Sequence, residues 1–243
     1  MKTQRLAQNS ISEWQKRIQV DSPRAALNYI KDVQDGKHPN APKINPNAVV
    51  SEGFLRLEQN LSTRDSYSFN VLENQGEKFV TERRLKVSDQ FLVTHLGLFV
   101  ISDTLDLNPP PRRAVAPLQT YNSIPLRAAL GLSSAEVVWN SLLEIRVDET
   151  VYFDGYDTSR FKRAGTAQEG LEVSTGATNP EYVADEWSDA NYGMAKLTPF
   201  IFLAGRANNK INLQMPSVVA FTTARAAVVL VARGMQIQNA YSS

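Results

Sequence analysis

The chain has 243 residues, 42% of them apolar and 21% charged, with a formal net charge of +1, enough for one large β domain or two small ones with a real core. It contains no cysteine, which excludes disulfides and thiolate metal sites and fits folding in a reducing cytoplasm. No apolar run reaches the roughly 18 to 20 residues of a membrane helix, and the opening MKTQRLAQNSISEWQ lacks the apolar stretch of a secretory signal.

The first predicted elements are helical. Ser10 to Glu13 has capping-box spacing, and Ile11, Trp14 and Ile18 follow on one face. A second short helix begins at Ser22-Pro23, carries Ala26, Leu27, Ile30 and Val33 as its apolar stripe, and stops at Gly36. Neither is long enough to be stable alone, so each must pack on the body of the chain or dock on a partner as an arm. The Pro- and Asn-rich linker from Lys37 to Asn47 closes this region, giving a division into a helical arm with linker over 1–46 and a β body over 47–243.

Beyond the linker the hydrophobic period changes to two. Phe54, Leu55 and Leu57 open a strand, and Tyr67, Phe69 and Val71 alternate with Ser68 and Asn70. Asn74-Gln-Gly76 turns the chain, and Phe79 to Val87, with Arg83, Arg84 and Lys86, reads as a charged, edge-like strand. Gln90 to Ser102 (QFLVTHLGLFVIS) is apolar on both alternations, which predicts a strand covered on both faces with His95 as a satisfied core residue. Pro109 to Arg113 reads as a stiff extended loop, Leu118 to Asn122 as a further strand, and Ile124 to Leu130 as a short helical turn. Ala135 to Leu143 fits helix or strand. Leu143, Ile145 and Val147 alternate, Asp148-Glu149 makes a hairpin turn, and Val151 and Phe153 continue on the return strand.

Lys162 to Asn191 reads as a long surface excursion anchored by Tyr182, Trp187 and Tyr192. Strong β signal then returns. Phe200 to Leu203 and Ile211 to Met215 bracket the loop Gly205 to Lys210, and Pro216 is expected to end the second of these strands. Ala226 to Ala232 must be central or covered, and Gly234 marks a bulge or a close approach. Phe200 to Met215 and Ala226 to Ile237 are therefore expected as core strands, with Arg206 and Lys210 on a loop tip.

Charge is segregated along the chain. Residues 142–192 hold four basic and eleven acidic side chains, whereas residues 194–243 hold five basic and no acidic ones. These are either ordinary solvated faces or complementary surfaces that meet within or between copies. No basic run is interleaved with aromatics, so no nucleic-acid face is expected.

A search for chemistry finds no Walker-type phosphate loop, no GxGxxG and no GxSxG elbow, and His38 and His95 are too far apart in sequence and context to suggest a metal pair. The acidic group Asp148, Glu149, Asp154 and Asp157 could serve a hard cation such as calcium, with Asp154-Gly-Tyr-Asp157 as its flexible centre, or a hydrolase carboxylate pair. It lacks EF-hand spacing, and turn acids are the plainer reading. No catalytic residue and no cofactor are expected.

The succession QFLVTHLGLFVIS, LQTYNSIPL, LLEIRVDETVYFDGYDTSRF, TPFIFLAGRANNKINLQMP and GMQIQN, over roughly residues 50–240, resembles bacteriophage virion structural proteins of the jelly-roll capsid type. The resemblance implies a jelly-roll-like sandwich or barrel, single or double, which with the periodicity above gives a mainly β fold with a short N-terminal α-helical region. It implies a non-enzymatic capsid protein, made in the host cytoplasm and resident in the virion. Such a subunit self-assembles with copies of itself and other virion proteins, with Arg206, Lys210, Asp154, Asp157 and Trp187 as candidate inter-subunit contacts. The other reading is a carbohydrate- or receptor-binding β-sandwich module of a tail or fibre, in which Tyr182, Trp187 and Tyr192 would stack on sugar rings.

Overall fold

The computed structural model describes residues 27–28, 30–32, 35, 37, 44–45, 47–102, 118–120, 136–162, 193–219 and 226–241, and these form two four-stranded antiparallel sheets beside a short helical region. The first sheet runs, in spatial order, β1 (Val49–Asn60), β8 (Ala226–Gln238), β3 (Gln90–Ser102) and β6 (Ala195–Ala204); the second runs β2 (Arg64–Phe69), β7 (Asn209–Val219), β4 (Leu142–Val147) and β5 (Thr150–Asp157). Among the described strands, only the β4–β5 connection stays within one sheet. Every other link between consecutive strands crosses from one sheet to the other.

The period-two pattern explains how the sheets meet. Leu55 and Leu57 of β1, Phe91, Val93, Leu96, Leu98 and Val100 of β3, and Val228 and Leu230 of β8 share one core with Tyr67, Phe69, Leu143, Ile145, Ile211 and Leu213 of the second sheet. Alternate residues on each strand point to the same face, so a single apolar face per strand suffices to join two layers. Burying each of these side chains contributes about 1.5–3 kcal/mol.

β3 and β8 are apolar on both faces because both faces are covered. Leu92, Met235 and Ile237 turn away from the shared core and pack with Ile30, Ile44 and Phe200. Phe99, Ile101, Ala227, Val229 and Val231 form a second outer cluster with Met194. Ile30 reaches the first of these clusters from the helical region, and Leu27, which precedes it in the predicted stripe, packs against the same cluster. The expected helix over Ser10 to Ile18 lies outside the described residues.

Several expectations are corrected. Phe79 to Val87 is not a strand: it makes only isolated bridges, Arg56 with Arg83 and Leu72 with Leu85, and Glu82 and Arg84 are buried. Pro216 does not end its strand, since β7 continues to Val219. The pairing jumps there, from Ser66 opposite Gln214 to Arg64 opposite Val219, and a proline, having no N–H, is tolerated where the ladder is interrupted. His95 is half-buried, not part of the core. Val93 pairs with Gly234 and His95 with Arg233, leaving Thr94 as an extra residue that shifts the facing of the strand. Gly234 is the close approach, because a Cβ there would lie 1.8 Å from Leu92 O. The segments 103–117, 121–135, 163–192 and 220–225, with their expected loop, turn and excursion, lie outside the described residues.

Candidate functional site

The second sheet carries most of the predicted contact residues. Lys210 is not on a loop tip. It is the second residue of β7, paired with Arg146, and its ammonium lies 3.6 Å from Glu144 Oε2. Glu144 also meets Arg146 at 3.3 Å and accepts from Asn212 Nδ2 at 3.1 Å, while Ser68 Oγ lies 2.7 Å from Asn212 Oδ1 and donates to it. A polar row thus crosses β2, β7 and β4 on the outside of the sheet. Its ion pairs are exposed at Arg146 and Lys210, so each contributes at most about 1 kcal/mol. This row shapes a surface more than it stabilises one.

Asp154 and Asp157 are on β5, the edge strand beside this row, and not in a turn. Asp154 is exposed. Asp157 caps the 3-10 turn Thr158–Phe161, accepting from Ser159 N–H at 2.8 Å. That backbone bond, then the Ser159 side chain, with Arg160's charge adding, hold its carboxyl below the ordinary value. A depressed folded-state pKa gives a cap present above the ordinary carboxylate pKa and lost as pH falls through the lowered one. Asp157→Asn is therefore expected to flatten the acid limb of stability while its Oδ1 keeps the cap, whereas Asp157→Ala removes the acceptor and should speed amide exchange at Ser159. Exchange measured across an acid titration checks this.

The acidic group does not converge. Asp148 sits in the β4–β5 turn with φ 50° and accepts from Asn208 N–H at 2.8 Å, and the length of β5, at about 3.3 Å per residue, puts Asp157 about 20 Å away. Among the described residues no group of three or more His, Asp or Glu side chains is placed to hold a metal ion.

Arg206 lies elsewhere, in the turn after β6, with its guanidinium 4.5 Å from the Tyr241 ring centroid. It therefore packs on the C-terminal end of this chain, and its link with Lys210 on one loop tip is not found. Trp187, Tyr182 and Tyr192 lie outside the described residues, as does His38.

Sequence reading did not single out a cationic group on the outer face of the first sheet. His95 is in register with Lys196 on β6 and Arg233 on β8. Burial, and then these two charges, hold His95 below the ordinary imidazole value. Thr94 Oγ1 lies 3.0 Å from its Nδ1 and donates to Arg233 O at 3.1 Å. Only the pairing register brings the three together, and no local motif could have announced it. No helix of the described residues is long and apolar enough to cross a membrane.

Compared with known proteins, the chain matches no family model, no curated protein and no solved structure. The surface has to be read from its own residues.

Proposed function

We propose that this chain is a non-enzymatic structural subunit of a bacteriophage particle, a capsid component that folds as a single jelly roll and works by self-assembly with copies of itself and other virion proteins. The observation that carries the reading is the strand order β1-β8-β3-β6 facing β2-β7-β4-β5. Eight strands in two sheets among the described residues, with consecutive strands alternating between the sheets except at one hairpin, is the arrangement expected of a jelly roll, which viral capsid subunits use. The same architecture serves lectins and cupins, so the fold alone does not decide function.

Two surface features support assembly. Lys210 and Arg146 lie on the outer face of the second sheet, and Asp154 and Asp157 on its edge strand. Opposite charges displaced across one sheet suit a repeated contact in which one copy's edge meets the next copy's face. As a virion component the chain would be made in the host cytoplasm and retained in the particle.

The test is sedimentation and electron microscopy of the purified chain over a range of concentration and salt, with detection of the chain in purified particles. Regular closed or sheet-like assemblies, weakened by reversing Lys210 to Glu, are the expected result. A chain that stays monomeric in every condition and is missing from particles overturns the reading. Glycan binding by that monomer, abolished by Trp187→Ala, would install the carbohydrate-binding module in its place.

A further inference from the structure

Between β2 and β3, residues 72–87 form no strand, yet they run along the outer edge of β1. One pair of backbone hydrogen bonds ties them there, Arg83 N–H to Arg56 O and Arg56 N–H to Arg83 O, each 2.9 Å. Apolar anchors stand only at the ends, where Leu72 and Leu85 are buried and bridge to each other. From Glu73 to Arg84 the only buried side chains are Glu82 and Arg84; Phe79 is half-buried and Val80 is 86% exposed.

The fastening is polar. Glu82 Oε2 accepts from Arg84 Nη2 at 2.7 Å and from Phe79 N–H at 2.8 Å, and Glu82 Oε1 accepts from Glu58 N–H on β1 at 2.9 Å. Arg84 also donates to the carbonyls of Gln75 and Glu77. Glu58, itself buried, accepts from Arg56 Nε at 2.7 Å and from Thr81 Oγ1 at 2.6 Å. Arg83 lies over the Phe54 ring at 5.0 Å and reaches Gln236 Oε1 at 3.3 Å.

A segment with little apolar burial opens at lower free energy than the core around it. A buried ion pair holds such a segment as a unit, since losing one partner strands the other's charge. Beneath this segment lies a twelve-residue edge strand, VVSEGFLRLEQN, with neither proline nor lysine and with Val49 and Phe54 exposed. A long edge of that kind is a template for another strand unless something covers it.

We propose that residues 73–84 are a strap, closed by the Glu82–Arg84 clamp, that guards the edge of β1 and opens as a unit separate from the core. With the clamp broken, β1 is left free to pair with an edge strand of a second copy. This holds whether or not the chain builds a particle, because the strap is read by its own opening.

Hydrogen exchange by mass spectrometry on the full chain, together with sedimentation, tests it in Glu82→Gln, Thr81→Val and, as a control, Val80→Ser. In Glu82→Gln, at concentrations where the chain is monomeric, exchange at residues 73–84 and at the Arg56 and Glu58 amides should rise about a hundredfold or more. β3 and β8 should stay at wild-type rates, and a concentration-dependent oligomer should form. Thr81→Val, at a half-buried position, should give a smaller rise over the same residues, and Val80→Ser none. The proposal is overturned if exchange rises equally in β3 and β8, or if the strap opens without self-association. If Glu82→Gln does not fold, Thr81→Val decides: no local rise over 73–84 refutes the strap.

Discussion

Gly234→Ala is expected to destabilise the fold by about 4 kcal/mol or more, at the extreme of single substitutions. A Cβ at this position would lie 1.8 Å from Leu92 O, 2.9 Å from Leu92 C and 3.1 Å from Thr94 N. All three are backbone atoms of β3, so no side chain can move aside. The residues sit where Thr94 bulges from the β3–β8 pairing, in the middle of the first sheet. Relieving the clash means separating the two most buried strands. Gly53→Ala, on the neighbouring β1, is the internal comparison: its Cβ would meet the Gln236 side chain at 3.3 Å, which can give, so the cost should be about 1 kcal/mol. Denaturant unfolding of both variants checks the pair. A Gly234→Ala protein within about 1 kcal/mol of wild type would show that the bulge is not the fixed point it is taken for.

Trp139→Ala should cost about 3–5 kcal/mol. Trp139 is fully buried in the short 3-10 turn Glu136–Asn140 that leads into β4, and it packs in the core shared by both sheets. Its Nε1–H points to Leu98 O at 3.4 Å, a long and weak bond, so the loss is mostly cavity and transfer. Thr158 holds the turn in place. Its hydroxyl accepts from Ser141 N–H at 2.9 Å and lies 2.9 Å from the carbonyls of Val138 and Ser141, to one of which it donates. Trp139→Phe keeps most of the volume and should lose well under half as much. Unfolding midpoints for the two variants separate packing from hydrogen bonding, and a Phe variant as damaged as the Ala one would argue for the bond.

Some of this was legible in the sequence. Tyr67 and Phe69, Leu143 and Ile145, and Ile211 and Leu213 face the core because alternation is a local property of an extended chain. The double-sided runs in β3 and β8 are legible as covered strands for the same reason. The Asp148-Glu149 turn was legible because its flanking runs left no other place to reverse. Where reading failed, a non-local effect intervened. One inserted residue, Thr94, carries His95 out of the core, and a jump in pairing opposite Asp65 lets β7 run on through Pro216. The segment 79–87 has strand-like composition, yet two of its charged side chains, Glu82 and Arg84, are buried and it makes only isolated bridges.

The candidate surface was less legible than the fold. Asp154 and Asp157 looked like turn acids because Gly155 stands between them, but β5 accommodates that glycine at φ 72° and continues to Asp157. Lys210 and Arg206 are four residues apart, yet one enters a strand and the other packs on Tyr241.

By itself the sequence determined the mainly β class, the faces of most strands and the absence of any thiol chemistry, because alternation and composition act over a few neighbouring residues. Only the tertiary structure decided the strand order, the bulge at Thr94, the clamp of Glu82 on β1 and the meeting of His95 with Lys196 and Arg233. Each of these depends on which distant strands pair and in what register, and the free energy of pairing comes from partners far along the chain.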